Sequence, residues 1–507
     1  MNNKKRTPKP LPEPKKKVPD NGSASGKHIF PPWVEKHRKP GVELRNINGR
    51  YYLYEVSSYY DAKTKRTKKK TGKYLGSITE SDGFRATTFA KTNKAAKIDV
   101  KNFSIREYGF YTFIMQRCSD IVSGLQQFFP DSWLQILIAA YCRLMKKSPI
   151  KNMEWYYQKS FFSVEHPTAI SSKLISELLR DLGTDRTPIA NYMTHKTPLN
   201  KLVLMDATSM VSYSQNLSQV SLGFSKNDVY EPIFNLLYIY SPDMFMPVYY
   251  RIFNGNIKDV KMMGLAIKEC PYNNTVIVAD KGFYYEQNLI TLEDESLQYI
   301  IPLRRNSTLI KTELYEQMPK TNSYFIVEGK IVWYAHYPVQ NNRYVHLFLN
   351  EELMAKEKKD FLARVETHPQ QYTMEKFHEQ RNSFGTLAVI TNIITNKPED
   401  VYKNYKSRQA IEILFDEMKN ILGNDYTYMR DDHALEGWMF INHIALQINH
   451  RIYSLLKENH LLKNYSIRDL IEFLSGIKKA RINDIWYLEP IITKHQNILN
   501  KLSVSVT

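Results

Sequence analysis

Residues Asn404-Tyr405-Lys406-Ser407-Arg408-Gln409-Ala410-Ile411-Glu412-Ile413-Leu414-Phe415-Asp416-Glu417-Met418-Lys419 carry the pattern from which the rest of the chain is read. Asn396, followed by Lys397-Pro398-Glu399-Asp400, reads as a helix start with an N-cap candidate, an early proline and two acids in the first turn. Gly423 reads as the stop. At about 100° per residue, Tyr405, Arg408, Glu412 and Lys419 fall on one stripe roughly 60° wide. Ile411, Leu414, Phe415, Met418 and Leu422 form an apolar face beside it. The pattern therefore predicts a carboxylate at the edge of a buried face, flanked by a phenol, a guanidinium and an ammonium. Such a set suits a site that holds metal and grips phosphate. An amphipathic helix with an ion-paired edge carries similar charges.

The spacing Tyr-x2-Arg-x3-Glu-x6-Lys resembles the C-terminal signature of prokaryotic DDE transposases of the insertion-sequence-four superfamily. The resemblance implies an α/β fold with an RNase H-like (retroviral-integrase-type) core and two upstream aspartates, each ending an apolar strand. Leu202-Val203-Leu204-Met205 followed by Asp206, and Thr275-Val276-Ile277-Val278-Ala279 followed by Asp280, supply both. Asp206-Ala207-Thr208 and Asp280-Lys281-Gly282-Phe283 also look like the family's first two acidic motifs. A single strand-end aspartate is commonly a turn former or a helix cap. Three acids in order, with the signature around the third, set these apart from their rivals. Asp228 fits less well. Asp259 starts a helix, Asp416 stands one turn from Glu412 in a supporting position, and Glu417 faces the opposite side of its helix.

With 507 residues, 43% hydrophobic and 24% charged, the chain has the size and balance of a two- to four-domain globular protein. The Lys- and Pro-rich start shows no signal-peptide pattern, and no apolar run approaches the ~20 residues of a membrane span. Cys118, Cys142 and Cys270 are scattered and odd in number, which points to buried thiols in a reducing cytoplasm rather than to disulfides or a zinc knuckle. The net charge of +18 is concentrated at one end. Residues 1–100 hold 24 Lys+Arg against 9 Asp+Glu, and the other 407 residues hold 46 against 43. A polyanion is the natural partner of that end.

Residues 1–40 read as a disordered basic arm. Residues 41–100 hold a small β module: strands over 42–47, 50–60 and 66–78, with Asn48-Gly49 as a type I′ hairpin signal. Its tyrosines interleave with Lys68, Lys69, Lys70 and Lys73 and suit a β-ribbon lying on DNA. Residues 101–200 switch to helical periodicity and resemble the family's helical N-terminal domain. From 201 to 302 the order is three adjacent strands followed by a βαβ unit, the opening half of the core. Residues 303–393 read as a β-rich insertion, 394–460 as the closing half of the core with the glutamate helix, and 461–507 as a C-terminal helical region. The resemblance implies insertion aromatics that stack on a base flipped out of the element's end. Trp333 and Tyr334 are the candidates, against packing of a strand tryptophan in the sheet. Of His433, His443 and His450, the last two are seven residues apart, roughly 10 Å along a helix and too far to share one metal, so they read as structural or DNA-contacting.

The resemblance implies a transposase that cuts and rejoins DNA by phosphoryl transfer at Asp206, Asp280 and Glu412. These acids would ligate two Mg2+ ions, Mn2+ substituting. Tyr405, Arg408 and Lys419 would bind phosphates at the element's end. DNA, as terminal repeats and as target, and a homodimer on paired ends are the implied partners, in a bacterial cytoplasm. Another RNase H-like nuclease or recombinase, or an inactive DNA-binding protein, shares some features of this pattern.

Overall fold

The computed structural model describes residues 29–61, 64–87, 103–197, 201–224, 229–257, 259–269, 275–394, 397–421, 423 and 427–506. The chain forms two compact units, 1–100 and 101–507. The expectations for residues 1–28, and those on Asp228, Cys270, Asn396 and Leu422, lie outside the described residues.

In the first unit, β1 (Val42–Ile47), β2 (Arg50–Asp61), β3 (Arg66–Thr79) and β4 (Gly83–Ala86) form an antiparallel sheet in that order. Asn48 and Gly49 both take positive φ, 52° and 79°, as a type I′ turn requires. The expected three-strand meander has a fourth strand because Gly83, at φ 66°, turns the chain back onto β3. The expected arm also ends early. Pro32–Glu35 is a short helix that buries Val34 against Leu53 and Ile78, so the apolar run Phe30 to Val34 belongs to the module. β1 covers β2 only up to Glu55, and β4 covers β3 only from Gly76. Beyond that, β2 and β3 continue as a two-stranded ribbon with Tyr59 opposite Lys68 and Ser58 opposite Lys69.

The second unit begins with β5 (Ser104–Glu107) and a set of helices from Gly109 to Lys196. The helix Trp133–Lys146 is buried over most of its surface. Ser171 caps the helix Ser172–Thr184, accepting from the Leu174 amide. Then come β6 (Leu202–Val211), β7 (Ser221–Phe224), β8 (Tyr230–Ser241), β9 (Met246–Asn254), β10 (Val276–Ala279) and β11 (Gln298–Pro302). β6 pairs antiparallel with β8 and parallel with β10, β9 pairs with β8, and β11 runs parallel to β10. Helices Asp259–Glu269 and Glu286–Asp294 make the crossovers. Parallel neighbours need such crossovers, and β6 and β10 read as continuous apolar runs because both faces are covered. The result is a mixed α/β unit on a large mixed sheet.

The 303–393 segment adds β12 (Tyr324–Val327), β13 (Lys330–Val339), β14 (Arg343–Asn350), a helix Glu351–Thr367, and β15 (Thr386–Thr391). β15 pairs antiparallel with β14 and with β11. The segment therefore extends the sheet from its β11 edge, giving ten strands among the described residues.

The long helix Asp432–Glu458 packs against the N-terminal helices and β9. At its crossing with Ser172–Thr184, a Cβ on Gly437 would lie 2.1 Å from the Leu179 carbonyl oxygen, so only glycine permits this backbone contact. The chain after 461 is not all helical as expected. β16 (Lys478–Ile482) and β17 (Ile485–Leu488) form a hairpin whose turn residues, Asn483 and Asp484, both have positive φ, and β5 adds to β16. The Asn-Asp pair between alternating runs is a turn signal of the same kind as Asn48-Gly49. No helix among the described residues is long and apolar enough to cross a membrane.

Candidate active site

Met205 on β6 and Ala279 on β10 are register partners in a parallel pair, so the residues that follow them, Asp206 and Asp280, come side by side. Asp206 does not end its strand as expected; β6 continues to Val211, and Asp206 pairs with Tyr238 on β8. Asp280 does end β10 and leads into a 3-10 turn, Lys281–Phe283.

The third acid arrives on a helix seated over β6 and β8. Ile411, Leu414, Phe415 and Met418 are buried, with the Phe415 ring 6.1 Å from that of Tyr238. The continuous helix expected over 396–423 is broken. Pro398–Lys406 and Gln409–Asp416 are separate helices joined by tight turns at Ser407 and Arg408, and Glu417–Ile421 is π-helical. The break turns Arg408 toward the two aspartates. The wider π turn shifts the phase of Lys419, whose Nζ donates to the Ser209 carbonyl of β6 at 3.2 Å.

Arg408 is the hub. Its guanidinium lies 2.9 Å from Asp206, 2.6 Å from Glu412 and 3.7 Å from Asp280. Tyr405 hydrogen-bonds its side chain. Burial works against the Arg408 charge, but Asp280 and Asp206 outweigh it and hold its pKa above the ordinary value. Burial pushes the Tyr405 phenol up. The acids differ in access: the Asp206, Asp280 and Glu412 side chains are 16%, 32% and 54% exposed.

Three carboxylates meeting one cation form a hard-oxygen donor set of the kind that divalent ions take. As the side chains stand they close on Arg408. No group of three His, Cys, Asp or Glu side chains among the described residues is placed to hold an ion directly. The residues fit a divalent ion once the guanidinium turns away, and two of the acids are open enough to receive one.

Beside Asp280 and Tyr405 lies a cleft of about 1070 Å³ floored by Leu303, Ile310 and Ala388. Its cations are Lys281, inside the Asp280-Lys281-Gly282-Phe283 motif, and Arg304 and Arg305, which the sequence pattern does not single out although both stand just after the end of an apolar strand. Arg305 is paired with Glu357 at 3.0 Å.

Trp333 is half-buried, donates to Glu351 at 3.1 Å and packs 5.5 Å from Tyr324; neither it nor Tyr334 lines the cleft. Lys68, Lys69, Lys70 and Lys73 are exposed on β3 in the first unit. Lys68 pairs with Asp61 and Lys69 with Glu43, whose carboxyl it holds below the usual range. Glu417 is buried, 2.9 Å from His450 and accepting from Asn449, a packing role. His443 is fully buried and pushed down to about 3 by burial, while His433 contacts the Gly183 carbonyl.

Residues 197–448, which contain both aspartates and the glutamate, match the family model described as the transposase DDE domain. The chain is a DDE-type DNA transposase. No curated protein matches it. Among solved structures, the cryo-EM structure of a piggyBac transposase synaptic complex with hairpin DNA is similar to it. That match has 9% identity and a TM-score of 0.40, covering 73% of this chain and 79% of that one. DDE transposases as a family depend on divalent metal, which agrees with the oxygen donor set of this transposase.

Proposed function

We propose that this transposase moves its own insertion sequence by cut-and-paste, with Asp206, Asp280 and Glu412 as the metal-holding acids of an RNase H-like core of the insertion-sequence-four type. The single observation that carries the reading is the convergence of all three acids on Arg408. The sheet order β9-β8-β6-β10-β11 supports the same reading. Three antiparallel strands followed by two parallel ones put Asp206 and Asp280 on neighbouring strands at the same level.

Two Mg2+ ions, for which Mn2+ substitutes, would activate the attacking oxygen and stabilise the leaving one when bound. The residues of the chain do the rest. Arg408 leaves the carboxylates and takes a DNA phosphate, so one charge serves two partners in turn. Tyr405 donates a hydrogen bond to the same backbone, and Lys419 adds charge from its anchor on β6. In the first step a water oxygen bonds to phosphorus and the P–O3′ bond breaks, freeing a 3′-hydroxyl. In the second, that 3′-hydroxyl bonds to a target phosphorus and a target strand oxygen leaves. The ribbon lysines Lys68, Lys69, Lys70 and Lys73 contact phosphates without reading sequence. Residues 101–200 and 303–393 flank the core as helical domain and insertion, and Trp333 would be the aromatic that meets the DNA end once it leaves Glu351. Two copies act on paired ends, on the nucleoid in a bacterial cytoplasm.

The test is Mg2+-dependent cleavage of DNA carrying the element's flanking repeats. Cleavage at the repeat ends by wild type, lost in Glu412→Ala with end binding retained, is the expected result. Tight binding without cleavage by wild type would sink the reading.

A further inference from the structure

Away from the carboxylate site, three cations share one face of the small sheet formed by β5, β16 and β17. Arg106 on β5 is the direct cross-strand partner of Lys479 on β16, and Arg481 follows two positions along β16. Side chains two apart on a strand share a face, and like charges directly opposite each other destabilise an antiparallel pair. Trp486 lies opposite Arg481 and Leu488 opposite Lys479, so β17 brings no carboxylate to that face.

The surroundings only partly relieve this repulsion. The Lys479 ammonium sits 3.9 Å from the ring centre of Tyr108 and 5.2 Å from that of Phe161. Arg481 pairs with Asp484 in the hairpin turn, and Arg106 donates to its neighbour's carbonyl, that of Ile105, at 3.1 Å. Glu107, next in sequence to Arg106, points to the opposite face, where Tyr141 and the Phe110 amide take its oxygens. The Nε atoms of Arg106 and Arg481 are buried and have no hydrogen-bond partner among the described residues. Burial lowers the Arg106 pKa, and the Arg481 charge lowers it further. A buried donor without an acceptor costs stability. The face is reachable, since the Arg481 side chain is 43% exposed.

We propose that Arg106, Lys479 and Arg481 form a phosphate-binding site for the DNA backbone, separate from the three carboxylates. A phosphate group presents several acceptor oxygens and negative charge together. It would pair with the exposed parts of these cations and cancel the cross-strand repulsion. The site rests on the chain acting on DNA and is independent of the roles given to the acids.

The experiment compares wild type with Arg106→Gln/Arg481→Gln for binding to end-repeat duplex by fluorescence anisotropy across a salt series. Losing the one phosphate that the arginines share should lower the slope of log affinity against log salt by about 0.9 and weaken binding several-fold at moderate salt. Arg106→Lys/Arg481→Lys should restore most of the slope, which a purely structural role would not do. Arginine modification of the wild-type protein, read by mass spectrometry, gives a check that needs no variant: bound duplex should protect both residues. An unchanged slope together with unprotected arginines overturns the site. So does a stabilisation by inorganic phosphate that the double variant abolishes while its DNA slope stays the same, which would mark a free-phosphate site. Failure of this proposal and failure of the cleavage reading separate cleanly. A variant with unchanged slope in a protein that cuts its ends removes only the site, whereas a reduced slope in a protein that never cuts keeps the site and removes the cleavage reading.

Discussion

Arg186 and Arg408 each face several carboxylates in the same unit, and the arginines are covered alike, with 20% and 17% of their side chains exposed. Their acids are not. Around Arg186, Glu269 and Glu436 are 17% and 14% exposed, and Tyr249, Tyr250 and the Tyr250 carbonyl use the oxygens and donors that remain. Around Arg408, Glu412 is 54% exposed and Asp280 32%, and the far sides of these acids face solvent. The first cluster is saturated and holds helices to the sheet. In the second, Glu412 and Asp280 stay open to solvent around a shared cation. Degree of saturation, not the presence of an ion pair, separates a structural cluster from a chemical one.

The sharpest way to break this comparison is Glu412→Gln. Cleavage should fall on the order of 10⁴-fold, roughly 5 kcal/mol of barrier, with unchanged melting and unchanged DNA binding. Early melting of the variant would put Glu412 in the same class as Glu436. Next, Arg186→Met should destabilise the fold by about 3–5 kcal/mol in urea titration because it strands two covered acids, while Arg408→Met should cost less than about 1 kcal/mol. Equal losses would erase the distinction.

Glu107 supplies the case of a buried acid with no cation. Burial raises its pKa to about 7. The folded state therefore holds a proton that the unfolded chain, titrating near the ordinary glutamate value of about 4.3, has released. Its contribution is complete below that value and is lost as pH rises to 7, at about 1.4 kcal/mol per pH unit within the window. Stability measured from pH 4 to 8 should fall across it, and Glu107→Gln should flatten that fall. Arg408→Gln should then tighten Mn2+ binding about tenfold in the absence of DNA, by calorimetry, since a competing charge leaves the acids. Weaker binding would mean that Arg408 organises the acids instead of occupying their site. The smallest effect belongs to the ribbon. Lys70→Gln should lower the salt slope of DNA binding by about 0.9, and Lys69→Gln by less, because Glu43 already shares that charge.

The sequence made legible whatever depended on local period. The apolar strands leading to Asp206 and Asp280, the Asn48-Gly49 turn and the buried face from Ile411 to Met418 are all local patterns, and all formed. It could not show the break at Ser407 and Arg408 or the π turn after Asp416. Both leave the 3.6-residue apolar pattern nearly intact while changing where the polar residues point. Arg408 as the hub of three acids depends on a parallel register set about 200 residues upstream. The β16–β17 hairpin escapes a reading of period for a different reason: its turn signal is short and stands among helical segments.

The pairing of β15 with both β11 and β14 bears on how the chain can be taken apart. A segment that shares hydrogen bonds with the core sheet is not a cassette. Cutting the chain on either side of 303–393 would leave two raw sheet edges, one on each piece, and each would tend to aggregate. Grafting this segment between relatives would require matching strand register at β11, one strand away from Asp280, so any such exchange would also move the chemistry.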